Sequence, residues 1–218
     1  MVSKIKKELY NKELLEGVKQ GDLERVEKAL ENGADVNARE FGDTALMLAV
    51  RYGYLYIAKL LIENGADVNA RNLSRDTALI LAAKNGHLDA VKLLVENGAD
   101  VNAKDDYGYT AVMWAAKLGY TDIVKFLVEN GADVNAKNED EDTALILAAE
   151  FGHLDAVKLL AENGADVNAK NKHGDTALTL AKKLGHLDVV KFLIENGAKL
   201  DTENNDENNA AMLTIKRR

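Results

Sequence analysis

A threonine followed by alanine and then leucine or valine returns at Thr44, Thr77, Thr110, Thr143 and Thr176, always 33 residues apart. Between these marks a glycine and then the string Asn-Gly-Ala-Asp-Val-Asn-Ala recur in register. A fixed period of this size constrains the fold more tightly than any composition does. A unit of that length cannot bury its own apolar face, so each must stack on its neighbours. Function then belongs on a long, variable surface rather than in an enzyme cleft.

The unit from Asn72 to Lys104 reads as two helices joined by turns. Leu73-Ser74-Arg75-Asp76 is a turn tip. Thr77 is placed to cap a first helix built from Ala78, Leu79, Ile80, Leu81, Ala82 and Ala83, its hydroxyl accepting a first-turn amide. Gly86 ends that helix, because a residue without Cβ enters the left-handed region cheaply. His87-Leu88-Asp89 opens a second helix whose apolar residues Leu88, Val91, Leu93, Leu94 and Val95 follow a helical rather than an alternating period. Phe126 and Phe192 stand where other second helices carry Leu60, Leu93 and Leu159, and are expected in the core.

The run from Asp76-Thr77-Ala78-Leu79 through Gly86-His87 to Asn97-Gly98-Ala99-Asp100-Val101-Asn102-Ala103 resembles the ankyrin repeat, a 33-residue unit with the signature T-P-L-H-x-A. The resemblance implies an all-α fold, an alpha-solenoid of stacked helix-turn-helix repeats with projecting turn tips. It divides a single domain, 1–218, into an N-terminal cap (1–38), five full repeats (39–202) and a C-terminal half repeat (203–218). The tip before Thr44 is one residue short, and Asn209-Ala210-Ala211-Met212-Leu213 reads as a last first helix. Ala45, Ala78, Ala111, Ala144 and Ala177 replace the family's proline. Met47, Ile80, Met113, Ile146 and Thr179 replace its histidine, so the hydrogen bonding usual there is expected to be absent or to give way to apolar packing.

The resemblance further implies partner contacts along a concave face and the turn tips, where residues that break the background stand out. Phe41, Arg75, Tyr107 and Tyr109 lie on tips, and Tyr52, Leu118 and Phe151 precede inter-helix glycines. Trp114 interrupts the series Leu48, Leu81, Leu147, Leu180. Tyr54 and Tyr120 replace the recurring His87, His153 and His186, while Tyr56 stands where Asp89, Asp122, Asp155 and Asp188 occur. Aromatic side chains supply large rigid contact area, which makes these residues candidates for binding a protein or structured peptide. The alternative is an engineered, stable repeat scaffold with no natural partner, consistent with near-identical framework segments and the absence of Pro and Cys.

Other chemistries find little support. A formal charge of −8 opposes binding to nucleic acid or to an anionic membrane surface. Without Cys there is no disulfide framework or thiolate metal site. Three of the four histidines occupy one repeated position, HExxH is missing, and Ser74 sits on an exposed tip with no triad around it. Glu139-Asp140-Glu141-Asp142 does not follow the EF-hand layout. No enzymatic activity, cofactor or metal is therefore expected. The start of the chain lacks a secretory apolar segment, and no run is long enough to span a bilayer. The expectation is a cytoplasmic protein, or a recombinant cytosolic one if engineered. It should be a monomer, with the aromatic patch as the route to any self-association.

Overall fold

A computed structural model of the chain describes residues 2–199. The expected half repeat at 203–218 lies outside the described residues. After α1 (Val2–Gln20) and α2 (Leu23–Glu31), the helices come in pairs of short first and slightly longer second members. They are α3 (Ala45–Arg51) with α4 (Leu55–Glu63), α5 (Ala78–Lys84) with α6 (Leu88–Glu96), and α7 (Ala111–Leu118) with α8 (Thr121–Glu129). Two more pairs follow, α9 (Ala144–Glu150) with α10 (Leu154–Glu162) and α11 (Ala177–Leu184) with α12 (Leu187–Glu195). The fold is an all-α solenoid of helix-turn-helix repeats. Its strands among the described residues are β1 (Arg39–Glu40) and β2 (Asp43–Thr44), antiparallel, with Arg39 opposite Thr44.

Local chemistry explains the pairs. Thr44, Thr77, Thr143 and Thr176 cap their helices in extended conformation, each hydroxyl accepting the amide three residues on. Thr110 does the same toward Met113 at 3.4 Å. Second helices end on Asn64, Asn97, Asn130, Asn163 and Asn196, whose side-chain amides donate to the carbonyl four residues back. These bonds satisfy carbonyls that a helix end otherwise leaves open.

The position expected to have lost its polar contact mostly keeps one. The amide of Thr44 donates to Met47 Sδ at 3.3 Å, that of Thr110 to Met113 Sδ at 3.5 Å, and that of Thr176 to Thr179 Oγ1 at 2.7 Å. A thioether is a weak acceptor and a hydroxyl a good one. Only Ile80 and Ile146, which carry no acceptor, fit the expectation of purely apolar packing.

First helices α3, α5 and α9 bury every residue but the last, whereas α11 buries only Ala177, Leu178 and Ala181, and second helix α6 only the stripe Ala90, Val91 and Leu94. Phe126 and Phe192, expected in the core, are half-buried instead. Each flanks its helix's buried stripe.

The chain divides into two compact units, Met1–Ala115 with Asp122–Asp133, and Ala116–Thr121 with Val134–Arg218. In the first, α1 packs on α2 and α3, α3 on α5, and α4 on α2 and α6. In the second, α9 packs on α10 and α11, and α12 on α10 and α11. Asparagines clamp successive loops within each unit. Asn69 Nδ2 donates to Gly98 O while Asn69 Oδ1 accepts from Asp100 N at 2.8 Å, and Asn135 repeats the pattern on Gly164 and Asp166. This pair of hydrogen bonds to the next loop accounts for the recurrence of that asparagine.

Candidate functional site

Four turn tips are wound around one side-chain oxygen each. Asn72 Oδ1 accepts from Ser74 N and Asp76 N, and Asp105 Oδ1 from Tyr107 N and Tyr109 N. Asn138 and Asn171 hold their tips in the same way. This turn places its fourth residue in the left-handed region, with φ of 59° at Arg75, 76° at Gly108, 60° at Glu141 and 78° at Gly174. The shortened first tip takes another form, a two-residue hairpin with φ of 50° at Phe41 and 94° at Gly42. Deleting one residue removes the wound loop and leaves the turn whose twist suits an antiparallel pair.

A base on the first helix commonly neutralises the last acid of its own tip. Arg51 meets Asp43 at 2.7 Å, Lys84 meets Asp76 at 2.6 Å, and Lys183 meets Asp175 at 2.7 Å. Two repeats break the rule: the third has Tyr109 in place of the acid, and the fourth has Glu150 in place of the base.

In the first unit the break at Tyr109 belongs to a cluster. Trp114 donates its indole N–H to Asp105 Oδ2 at 2.9 Å. The Tyr109 ring stacks on the indole with centroids 4.7 Å apart and planes tilted by 29°. Lys84 Nζ lies 4.4 Å from the indole centroid and 3.5 Å from Asp105 Oδ2, within cation–π reach. The ammonium thus sits between two buried carboxylates, Asp76 and Asp105, and an aromatic face. Trp114 and Tyr109 stay half-buried, while Tyr107 in the same tip is 68% exposed.

The remaining candidates of the first unit are dispersed. Phe41 is 93% exposed on its tip, Tyr56 stands out from α4, and Arg75 is exposed with its Nε 3.9 Å from Asp106. Tyr52 lies beside Tyr54, ring centroids 5.9 Å apart. Tyr54 is engaged in packing: a Cβ added to Gly21 would come within 2.9 Å of its ring. His87 covers Gly53 in the same manner and points Nε2 at Arg51 O, 3.3 Å away.

In the second unit His153 and His186 approach Lys117 O and Glu150 O through Nε2 at 3.1 and 3.0 Å. Phe151 runs nearly parallel to His153, and Lys117 Nζ is 5.5 Å from the Phe151 ring. Leu118 and Tyr120 are exposed. Burial raises the Glu150 pKa above its ordinary value, the nearby Asp142 raises it further, and Lys117 opposes both.

The family model for ankyrin repeats in three copies matches residues 71–138 and 136–206, and that for the single ankyrin repeat matches residues 41–73. The chain belongs to the ankyrin repeat family. Comparison with curated proteins returns no match. Ankyrin repeats are generally protein–protein interaction modules on a non-catalytic fold, and their usual partners are proteins. No described helix of this ankyrin array is long and apolar enough to cross a membrane. The described residues hold no group of three or more His, Asp or Glu arranged to take a metal ion.

Asp105, Lys84 and Glu150 escape a reading that looks for aromatic exceptions. The signals of Asp105 and Glu150 are changes of chemistry at a fixed register, whereas Lys84 keeps the usual base of its register. Asp105 stands where the other wound tips have Asn72, Asn138 and Asn171, and Glu150 stands where the ankyrin array otherwise carries Arg51, Lys84, Lys117 and Lys183.

Proposed function

We propose that the chain is a protein-recognition module that binds a protein or structured peptide through its turn tips and the adjoining side of its first helices. The carrying observation is the Trp114–Tyr109 stack, a half-buried aromatic pair whose polar atom is tied to Asp105. Such a pair offers flat apolar area with little side-chain entropy left to lose, the property that concentrates binding energy in a few anchors. Tyr107 shares its tip, Phe41 and Arg75 stand on the two preceding tips, and Tyr52 and Tyr56 are further candidates of the first unit; Leu118, Tyr120 and Phe151 are the candidates on the second. On this reading residues 1–218 work as one repeat domain.

The test compares partner capture by the wild-type chain with capture by the Trp114→Ala/Tyr107→Ala double variant. Loss of a specific partner with unchanged far-ultraviolet circular dichroism supports recognition. Equal loss of helicity would mark these residues as packing groups and sink the assignment. The second reading, an engineered scaffold without a natural partner, draws on the near-identical framework of successive repeats. Retention of no partner by the wild-type chain would favour it.

A further inference from the structure

Phe41, Leu73 and Tyr107 project from three consecutive tips of the first unit and are 93%, 81% and 68% exposed. These tips touch. A Cβ on Gly42 would lie 2.6 Å from Leu73 Cγ, and Asp106 N donates to Ser74 O at 3.0 Å. The three side chains therefore form a row along one edge rather than scattered exposures.

The charges around the row are unequal. Each of its carboxylates meets a cation: Glu40 shares Lys19 with Glu16, Asp43 has Arg51, Asp76 and Asp105 share Lys84, and Asp106 has Arg75. Arg39 and Arg71 have no carboxylate partner among the described residues. Arg39 NH1 donates to Gly42 O and Arg71 O, and Arg71 NH1 to Lys104 O, all at 2.8 Å. Those bonds fix each guanidinium and leave its Nε–NH2 side for a two-pronged carboxylate contact. On the second and third tips the amides of Ser74, Asp76, Tyr107 and Tyr109 are already spent on Asn72 and Asp105, so side chains rather than an added strand make the contact there.

We infer that this edge recognises a protein segment carrying apolar side chains interspersed with carboxylates, with Phe41, Leu73 and Tyr107 as apolar contacts and Arg39 and Arg71 as the carboxylate receivers. The inference rests on the protein-recognition reading and names its partner chemistry. An anionic membrane would meet the same side chains, but the chain's net charge of −8 disfavours approach to such a surface.

The test pans a displayed library of random peptides of about 16 residues against the full chain, then measures the enriched peptides on variants that retain wild-type circular dichroism. Enriched sequences should combine excess Asp and Glu with Leu or aromatic residues. The Phe41→Ser/Leu73→Ser variant should lose about ten-fold or more in affinity, and Arg39→Gln/Arg71→Gln a comparable amount. On the unaltered chain, raising salt from about 50 to about 500 mM should weaken binding several-fold. Enriched peptides without acidic excess, or indifferent to salt and to both variants, would overturn the inference. Peptides lost only in Trp114→Ala would overturn it while leaving protein recognition standing, whereas no enrichment at all would count against both. Phe41/Leu73-dependent sedimentation with vesicles of phosphatidylcholine and phosphatidylserine at about four to one would overturn it in favour of a lipid surface.

Discussion

Trp114 and Asp105 are joined by an indole N–H to carboxylate hydrogen bond of 2.9 Å, made by the carboxyl group that also winds the tip. One residue thereby forms the turn with Oδ1 and orients the aromatic anchor with Oδ2. Asparagine at the same register elsewhere does only the first; Asn72 donates its amide to the buried Asp43 of the preceding tip at 2.7 Å.

Asp105→Asn separates the two jobs. The turn should persist, as it does around Asn72, Asn138 and Asn171, while Trp114 loses its acceptor. A charge-assisted bond of this kind is worth about 1.5–3 kcal/mol, and a new amide bond toward Asp76 would offset part of the loss. Far-ultraviolet circular dichroism should be unchanged. Because the chain has 1 Trp, a weaker near-ultraviolet indole band and stronger acrylamide quenching are assignable to Trp114. An unaltered indole signal in the folded variant would contradict the orienting role of Asp105.

Glu150 makes stability depend on pH with a definite sign. Its folded-state pKa is raised above 4.5, chiefly by burial and then by Asp142, so folding favours the protonated form. The contribution is fully present below 4.5 and is lost as pH rises through the raised value. Glu150→Gln should therefore melt higher than wild type at neutral pH, and the gap should close on acidification to 4.5. Measuring both proteins at each pH cancels the titration of other carboxylates. A gap that is negative at neutral pH, or flat with pH, would refute the assignment.

Arg75 and Glu141 hold left-handed backbone at φ of 59° and 60°, where the equivalent residues of two other tips are glycine. A side chain in that region costs about 1–2 kcal/mol, against about 0.5–1 kcal/mol for the extra freedom glycine must surrender on folding. Arg75→Gly and Glu141→Gly should each gain about 0.5–1 kcal/mol, a rise of roughly 1–4 °C in melting temperature for a chain of this size. Lower melting in both variants would show that the tips are not strained. Arg75→Gly should additionally weaken partner binding if the tip is part of the interface.

Gly98 and Gly152 both have positive φ but differ in surroundings. A Cβ at Gly98 meets nothing within 4 Å, whereas one at Gly152 would lie 2.6 Å from His186 Nδ1. Gly98→Ala should cost about 1–2 kcal/mol from backbone strain alone. Gly152→Ala should cost more, because His186 must shift and its 3.0 Å contact with Glu150 O, worth about 0.5–1.5 kcal/mol, is lost. Urea midpoints settle the order. Equal costs would deny His186 its packing role.

Much of the fold was legible in the sequence because its determinants are local. Thr77 caps with an amide three residues away, and Asn97 satisfies a carbonyl four residues away. Gly86 and Gly98 turn the chain where no other residue does so cheaply. Less of the candidate site could be read. Trp114, Tyr109 and Tyr107 stood out as aromatic exceptions, but Asp105 looked like one more acid and Leu73 like an ordinary tip residue. Tyr54, an exception by the same reasoning, turned out to cover Gly21.

By itself the sequence determined the period, the helix pairs, their caps and the family, because each depends on bonds that close within a few residues. Only the tertiary structure decided which exceptions act together. Lys84 reaches Asp105 and Trp114 across a repeat, His186 reaches Glu150 across 36 residues, and Gly42 meets Leu73 on the next tip. Stacking sets those distances: residues about one period apart become neighbours only once each unit has buried its apolar face against the next.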